Sequence, residues 1–334
     1  MQKKLPPLLA ALLWLCCGLA PLPLKAEEAS PALVFITLGT QGGPQPNPVR
    51  AQPANLLQVN GSNYLIDAGN GVAHQLTLAN IPVEAVKTIF ISHNHDDHNA
   101  DLGTLMGLSW SMHNRDEYTV FGPAGTQEVV DGFMSAYSVN SAIRDEDSPL
   151  PRWGKFNGPV AVHTIGDAKA GKQIYKDDNL TAYAIENCHY HHDDPVRFKS
   201  GEEKSYAFRF EMKDKVIVFS GDTGPCDGLV DFYQGADLLV HEVFNTELMV
   251  TNIRDHGAMS AVPEALLKVM LSKSERYHTT PEEVGKLAAK ADVGKVVLTH
   301  VMPGRASDPD AAYIDGVRKY YSGEVVLAKD LDRF

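Results

Sequence analysis

Apolar positions along this chain fall in short runs separated by Gly, Pro and Asn clusters, with stretches of helical period between them. Residues 33–38, Leu-Val-Phe-Ile-Thr-Leu, read as a strand, and the Gly/Pro/Asn-rich stretch 39–48 after it cannot sustain a regular element. Two further runs, 55–59 and 64–67, flank the turn residues Asn60-Gly61-Ser62-Asn63, which predicts a hairpin. A helical stretch over 71–79 meets its stop signals at Asn80 and Pro82, and the mostly apolar strand 86–92 follows. Next come a helix from Asp101, a strand at 118–121 and a helix from Thr126 with apolar Val129, Val130 and Phe133. Over 138–158 the chain turns polar and Pro/Gly-rich, which predicts a surface excursion serving as a lid or pocket wall. Strands recur at 160–165, 180–186, 205–211, 216–220, 237–240 and 296–299, and helices at 262–271 and 281–289. The last helix has a well-marked start: Thr280 can cap its open N–H groups, Pro281 suits the first turn, and Glu282 and Glu283 complement the dipole. Strands alternating with helices make this an α/β chain. No internal repeat or low-complexity tract interrupts it.

The N-terminus changes the picture. Lys3 and Lys4 precede an apolar run over 5–19, and a Pro-rich stretch then closes in Leu24-Lys25-Ala26 before Glu27-Glu28. This is the layout of a signal peptide spanning 1–26, cleaved after Ala26, and it places the mature protein in the periplasm or outside the cell. A membrane anchor needs about 20 unbroken apolar residues, and Pro21 and Pro23 interrupt the run. Cys16 and Cys17 leave with the signal, since neither follows the small residue of a lipoprotein signal. What remains, 27–334, is read as a single domain with ample length for a buried core, and no later apolar stretch is long enough to span a membrane. The whole chain carries a net charge of −12; losing Lys3, Lys4 and Lys25 leaves 27 of 30 basic residues against 42 acidic ones, a net −15. Such a surface repels polyanions on average. With only Cys188 and Cys226 the mature chain is no disulfide scaffold; an exported compartment permits one bridge between them, and spacing alone leaves their pairing open.

The strongest chemical signal is His93-Asn94-His95-Asp96-Asp97-His98, immediately after a strand. In an extended or turning segment His93 and His95 point to one side and can grip one ion, while Asp97 and His98 project onward to a second. Neutral imidazole is a good zinc ligand, and a carboxylate beside it lowers the net charge of the site. A solvated loop with clustered histidines is the bland alternative, set aside because fitting partners recur downstream in order.

Those partners carry a resemblance. Leu38-Gly39-Thr40, Gly42-Gly43-Pro44, Asp67-Ala68-Gly69, the His-rich motif, Ser220-Gly221-Asp222-Thr223, His241-Glu242, His278-Thr279-Thr280 and Leu298-Thr299-His300 follow one another over most of the mature chain. Singly several are weak; in this order the chain resembles the metallo-β-lactamase superfamily, and within it the branch of ribonuclease Z and the zinc-dependent arylsulfatases. The resemblance implies an αββα sandwich of two mixed β-sheets flanked by helices, and a centre of two zinc ions, with manganese or iron as alternatives. It assigns His93, His95 and a later histidine to one metal, Asp97, His98 and His300 to the other, and Asp222 to both. The later histidine is His189, His191 or His192; His189 is preferred because it closely follows a strand and lies where the resemblance implies. A bridging Asp222 would fix the ions about 3.5–4 Å apart, where one hydroxide also bridges them, and zinc lowers the pKa of such a water to about 7. Asp67 is read either as holding ligands through hydrogen bonds or as turning the chain. The implied catalytic set is Asp97, His278 and Glu242: in ribonuclease Z a histidine of a His-x-Thr motif, paired with a glutamate that directly follows another histidine, assists the leaving group. His74, His113 and His163 read as ordinary residues, and His256 stays open.

Such a site suits attack at phosphorus or sulfur, or addition to an ester carbonyl. The export signal, the acidic surface and the lack of an evident long basic arm argue against a tRNA processor. The expected partner is therefore a small anionic ester, a sulfate ester or phosphodiester, with no tRNA; Arg50 and Arg305 are candidates to hold one small anion. The alternatives are a lactonase or β-lactamase attacking a carbonyl, against which the His278–Glu242 pair counts, and a non-catalytic zinc-binding protein. Cys188 adjoins His189 and Cys226 lies four residues past Asp222, so a bridge between them would stiffen the metal loops. Whether the chain forms an oligomer is not legible.

Overall fold

The computed structural model describes residues 33–112, 114, 116–147, 160–190, 202–256 and 261–334. Residues 1–26, read above as a signal peptide, His113, His191, His192 and the side chain of His256 lie outside the described residues.

Six strands form the first sheet side by side in chain order: β1 (Leu33–Gly39), β2 (Ala54–Val59), β3 (Ser62–Ile66), β4 (Val86–Phe90), β5 (Tyr118–Gly122) and β6 (Val160–Thr164). β1, β2 and β3 pair antiparallel, and β3 to β6 pair parallel. The β2–β3 hairpin turns on Asn60 and Gly61, both at positive φ, as the tight hairpin turn requires. The second sheet holds seven strands: β7 (Lys172–Lys176), β8 (Thr181–Glu186), β9 (Tyr206–Glu211), β10 (Val216–Phe219), β11 (Leu238–Phe244), β12 (Lys295–Met302) and β13 (Glu324–Leu327). It too is mixed, antiparallel from β7 to β10 and parallel from β10 to β13.

Period-two alternation decides the layers. Phe35, Leu57, Tyr64, Phe90 and Phe121 of the first sheet meet Phe208, Phe210, Phe219 and Val240 of the second in a core between the sheets. Their neighbours Ile36, Leu56, Leu65, Ile89 and Val120 point the other way, against α1 (Val72–Leu78), α3 (Leu102–Ser111) and α4 (Thr126–Asp147); the single turn α2 (Asp96–Asn99) stands at the metal motif. Ala207, Val218, Leu239, Val296 and Leu298 pack outward against α5 (Gly228–Tyr233), α8 (Pro281–Lys290) and α9 (Ala311–Arg318). The remaining helices are α6 (Thr246–His256) and α7 (Glu264–Ser272). This is the αββα sandwich that the resemblance implied. The C-terminal segment ties its two halves: Phe334 exchanges backbone hydrogen bonds with Phe35 of β1, the Leu331 N–H donates to the Thr37 carbonyl, and the Thr37 N–H donates to the Asp332 carbonyl.

One expectation is corrected. The polar stretch from Ser138 was read as an excursion, yet α4 continues through it to Asp147. Ala136, Val139 and Ile143 share a helical spacing there, and exposed Val139 and Ile143 hid that period among Ser, Asn and charged residues. Residues 148–158 of the stretch lie outside the described residues.

Candidate metal centre

β4, β8 and β10 each end three residues before a residue of the site, His93, His189 and Asp222 respectively. Gly221 makes the last of these turns possible: its φ is +56°, and a Cβ there would lie 2.5 Å from the Tyr206 carbonyl. His300 reaches the site by another device. Within β12 it stands at φ +44°, an extra residue between Thr299, which pairs with Glu242, and Val301, which pairs with Val243. This bulge re-aims the imidazole out of the strand's alternation, and left-handed backbone at a non-glycine residue is strain of the kind that functional sites hold.

The side chains converge in two groups. Nδ1 of His95 lies 3.0 Å from Nε2 of His93 and 3.3 Å from Nε2 of His189. Oδ2 of Asp97 lies 3.5 Å from Nε2 of both His98 and His300. Asp222 stands between the groups. Its Oδ2 is 3.8 Å from Nε2 of His93, and its Oδ1 is 3.3 Å from Nε2 of His98 and 3.1 Å from Nε2 of His300. All of these side chains are buried except His95, which opens to solvent.

This arrangement fits divalent ions. Tetrahedral bonds of about 2.0–2.1 Å place ligand atoms about 3.3–3.4 Å apart, close to the separations just given. Oδ2 of Asp97, Nε2 of His98 and Oδ1 of Asp222 are fully buried and have no hydrogen-bond partner, a costly condition unless something else satisfies them. Three of the other ring nitrogens are fixed by oxygens: Nδ1 of His98 by Asp67 at 2.8 Å, Nδ1 of His189 by the Tyr277 carbonyl at 2.9 Å, and Nδ1 of His93 by the Ser92 hydroxyl at 3.1 Å. Such partners set the tautomer and aim the ring. Asp67 also accepts from the Ser92 N–H at 2.8 Å and itself sits at φ +60°, so it both holds a ligand and turns the chain. The Tyr277 carbonyl was invisible in sequence, since a backbone oxygen 88 residues away leaves no side-chain signal.

Charge follows burial. Burial holds His93 well below the usual imidazole range and His189 at about 3, leaving neutral rings with a lone pair to offer. Burial raises Asp97, but His98 and His300 outweigh it and bring the carboxyl to about 2. Burial lowers His300, but Asp222 outweighs it and draws the imidazole up to about 10. The two buried carboxylates thus demand positive charge in their midst, which a divalent cation supplies.

Beside the ligands, Oε2 of Glu242 lies 3.1 Å from Nδ1 of His278. Burial pushes His278 down, but Glu242 outweighs it and raises its pKa. Glu242 is buried, and its Oε1 accepts from the Thr223 N–H at 2.7 Å. The structure therefore brings together His93, His95, Asp97, His98, His189, Asp222 and His300, with His278 and Glu242 alongside. His74 and His163 stand away on exposed positions, as expected. Arg50 and Arg305 do not reach the metal cluster; they line a separate cavity of about 300 Å³ beside the loop after β12.

Fold and site together define a class. Residues 62–301 match the β-lactamase superfamily domain, and the chain belongs to the metallo-β-lactamase superfamily as a metal-dependent hydrolase acting on ester bonds. Within it, the chain is similar to ribonuclease Z of Mycolicibacterium paratuberculosis, 28% identical over 308 residues, covering 90% of this chain and 98% of that protein. Among solved structures, it is similar in fold to the short form of human tRNase Z, with a TM-score of 0.61 and 20% identity over 90% of this chain and 98% of that one. The metallo-β-lactamase fold protein YhfI of Bacillus subtilis has a TM-score of 0.62 and 20% identity over the same shares.

These relatives correct the expected partner. A small anionic ester with no tRNA was inferred from the acidic surface and the missing arm, but the curated relatives are ribonucleases and the human neighbour is a tRNase. Net charge averages over the whole surface, whereas the field a substrate meets is local to the site.

Proposed function

We propose that the chain is a phosphodiesterase with two divalent ions, zinc by its donor set, that cleaves phosphodiester bonds in RNA. The observation that carries this reading is the two-sided Asp222, one oxygen toward His93 and the other toward His98 and His300. His93, His95 and His189 would hold one ion, and Asp97, His98 and His300 the other. When bound, the ions supply Lewis-acid polarisation of the scissile phosphate and a water nucleophile available at neutral pH. The protein's own part is positional and acid–base. His278 keeps its Nδ1 on Glu242, which leaves Nε2 to deliver a proton to the departing oxygen. Glu242, buried and anchored on Thr223, holds that ring and favours its protonated form. Asp97 is a ligand in this scheme, not a proton carrier, since a divalent cation beside its carboxylate would keep it ionised.

Initial rates on bis-para-nitrophenyl phosphate, para-nitrophenyl sulfate, a homoserine lactone and a cephalosporin test the reaction class. Phosphodiester cleavage dominating the panel agrees with the proposal; turnover of the sulfate or the carbonyl substrates alone contradicts it.

Export is part of the same proposal. The charged and apolar layout of 1–26 supports it, and a disulfide between Cys188 and Cys226 suits an oxidising compartment. Mass spectrometry of protein from its native host should find Glu27 at the N-terminus, and an intact Met1 would contradict cleavage after Ala26.

A further inference from the structure

The loops that deliver His189 and Asp222 are joined covalently, because Cys188 and Cys226 form a disulfide with their Cα atoms 5.8 Å apart. Cys188 immediately precedes His189, and Cys226 follows Asp222 by four residues. Around the bridge the two loops also hydrogen-bond: the Cys188 N–H donates to the Thr223 hydroxyl at 3.1 Å, and the Gly224 N–H donates to the Cys188 carbonyl at 3.2 Å. A third loop packs beneath them. A Cβ on Gly224 would lie 1.9 Å from the Arg276 carbonyl, and the neighbouring Tyr277 carbonyl accepts from His189. The Thr279 hydroxyl donates to the Thr223 carbonyl at 2.6 Å, so the turn bearing His278 belongs to the same stack.

Support for the two ligand groups is therefore unequal. Asp97 and His98 come from the segment after β4, anchored through Asp67, and His300 comes from inside β12. His189 rides on a loop outside any strand and directly adjoins the bridge, whereas Asp222, on the other tethered loop, stands four residues from it and is held separately through the Thr223 N–H on Glu242.

We propose that Cys188 and Cys226 are positioning residues of the metal centre: their disulfide holds His189 in place, so that breaking it weakens the His93–His95–His189 group and spares Asp97–His98–His300. This rests on the metal reading given above. A disulfide that acted only by restricting the unfolded chain would lower stability without favouring either group.

Cobalt titration of the metal-free protein, followed by its visible absorption, separates these cases, with the melting temperature of each metal-free form measured alongside. Wild type should take up two equivalents. A Cys188→Ala/Cys226→Ala double variant should keep one tight equivalent and bind the other about tenfold or more weakly, the scale of losing a group that orients a ligand. If the variant does not fold, the oxidised wild-type holoprotein is compared with the same protein treated with a trialkylphosphine. The phosphine attacks one sulfur, the S–S bond breaks, and water converts the adduct to phosphine oxide, leaving two thiols. One metal equivalent should then pass to a colorimetric chelator about tenfold faster than before treatment. Two equivalents that behave as in wild type, or that weaken equally, overturn the inference while leaving the metal centre intact. Wild type that binds no cobalt overturns the metal reading itself, and this inference with it.

Discussion

At the scale of single residues, the site divides work between atoms that face the cluster and atoms that hold those in place. His278 belongs to neither ligand group, and its Nδ1 is taken by Glu242. His278→Ala should lower kcat by about 10²- to 10⁴-fold, the usual range for a lost general acid, while the metal content stays at the wild-type value. Loss of metal on that substitution would make His278 a ligand instead. The His-rich motif was legible because its residues are contiguous and each bears a metal-binding group. The choice of His189 was less so, since the Tyr277 carbonyl that aims it comes from a distant loop. His191 and His192 are outside the described residues, so His189 holds its place by its own contacts and not by comparison with them.

Elements explain what the pattern of apolar residues revealed and what it hid. Strands buried on both faces, such as β1, β11 and β12, read directly as apolar runs. The lengthening of β11 to Phe244 and of β12 to Met302 did not, because His241, Glu242 and His300 are polar residues buried for chemistry. The edge strand β7, Lys-Gln-Ile-Tyr-Lys, carries too little apolar character to announce itself, and it was missed. So were β13 and the helices α5, α6 and α9. The short lengths of β13, α5 and α9 leave little chain over which a period can show, whereas α6 was hidden by its polar majority, Thr246, Glu247, Thr251, Asn252, Arg254 and Asp255 among them. A prediction belongs at this scale. Gly221 combines φ +56° with the close Tyr206 carbonyl, so Gly221→Ala should lower unfolding stability by more than about 1 kcal/mol. Chemical denaturation would check this, and an unchanged midpoint would mean that the turn into Asp222 tolerates a side chain.

For the whole molecule, the two sheets are clasped away from the metals as well as at them. Tyr64 of β3 donates to Asp177 at 2.5 Å, and Asp177 lies in the turn between β7 and β8. Burial pushes Asp177 up, but the Tyr64 hydroxyl and the Leu180 and Asn179 N–H groups outweigh it and hold the carboxyl below its usual range. A folded-state pKa below the unfolded value of about 4 contributes stability that is present above that pH and lost as pH falls through the folded value. Asp177→Asn should therefore destabilise the protein most at neutral pH, with the difference from wild type shrinking below about pH 4. A difference that stays constant down to pH 2 would mean that the charge contributes nothing.

The same scale shows where composition misled. A net charge of −15 without residues 1–26, 27 basic against 42 acidic residues, argued against a polyanionic partner, yet relatives covering 90% of the chain are ribonucleases. Whole-surface charge constrains association from a distance and says little about a site whose positive charge arrives with its metals. The most direct test of the account is the rate at which metal-stripped protein cleaves a 3′-extended tRNA transcript as zinc is added back in measured equivalents. The account predicts no cleavage without metal and a rate that rises to a plateau at two equivalents per chain. Cleavage that is independent of metal, or none on this transcript or any other RNA at full loading, would contradict it.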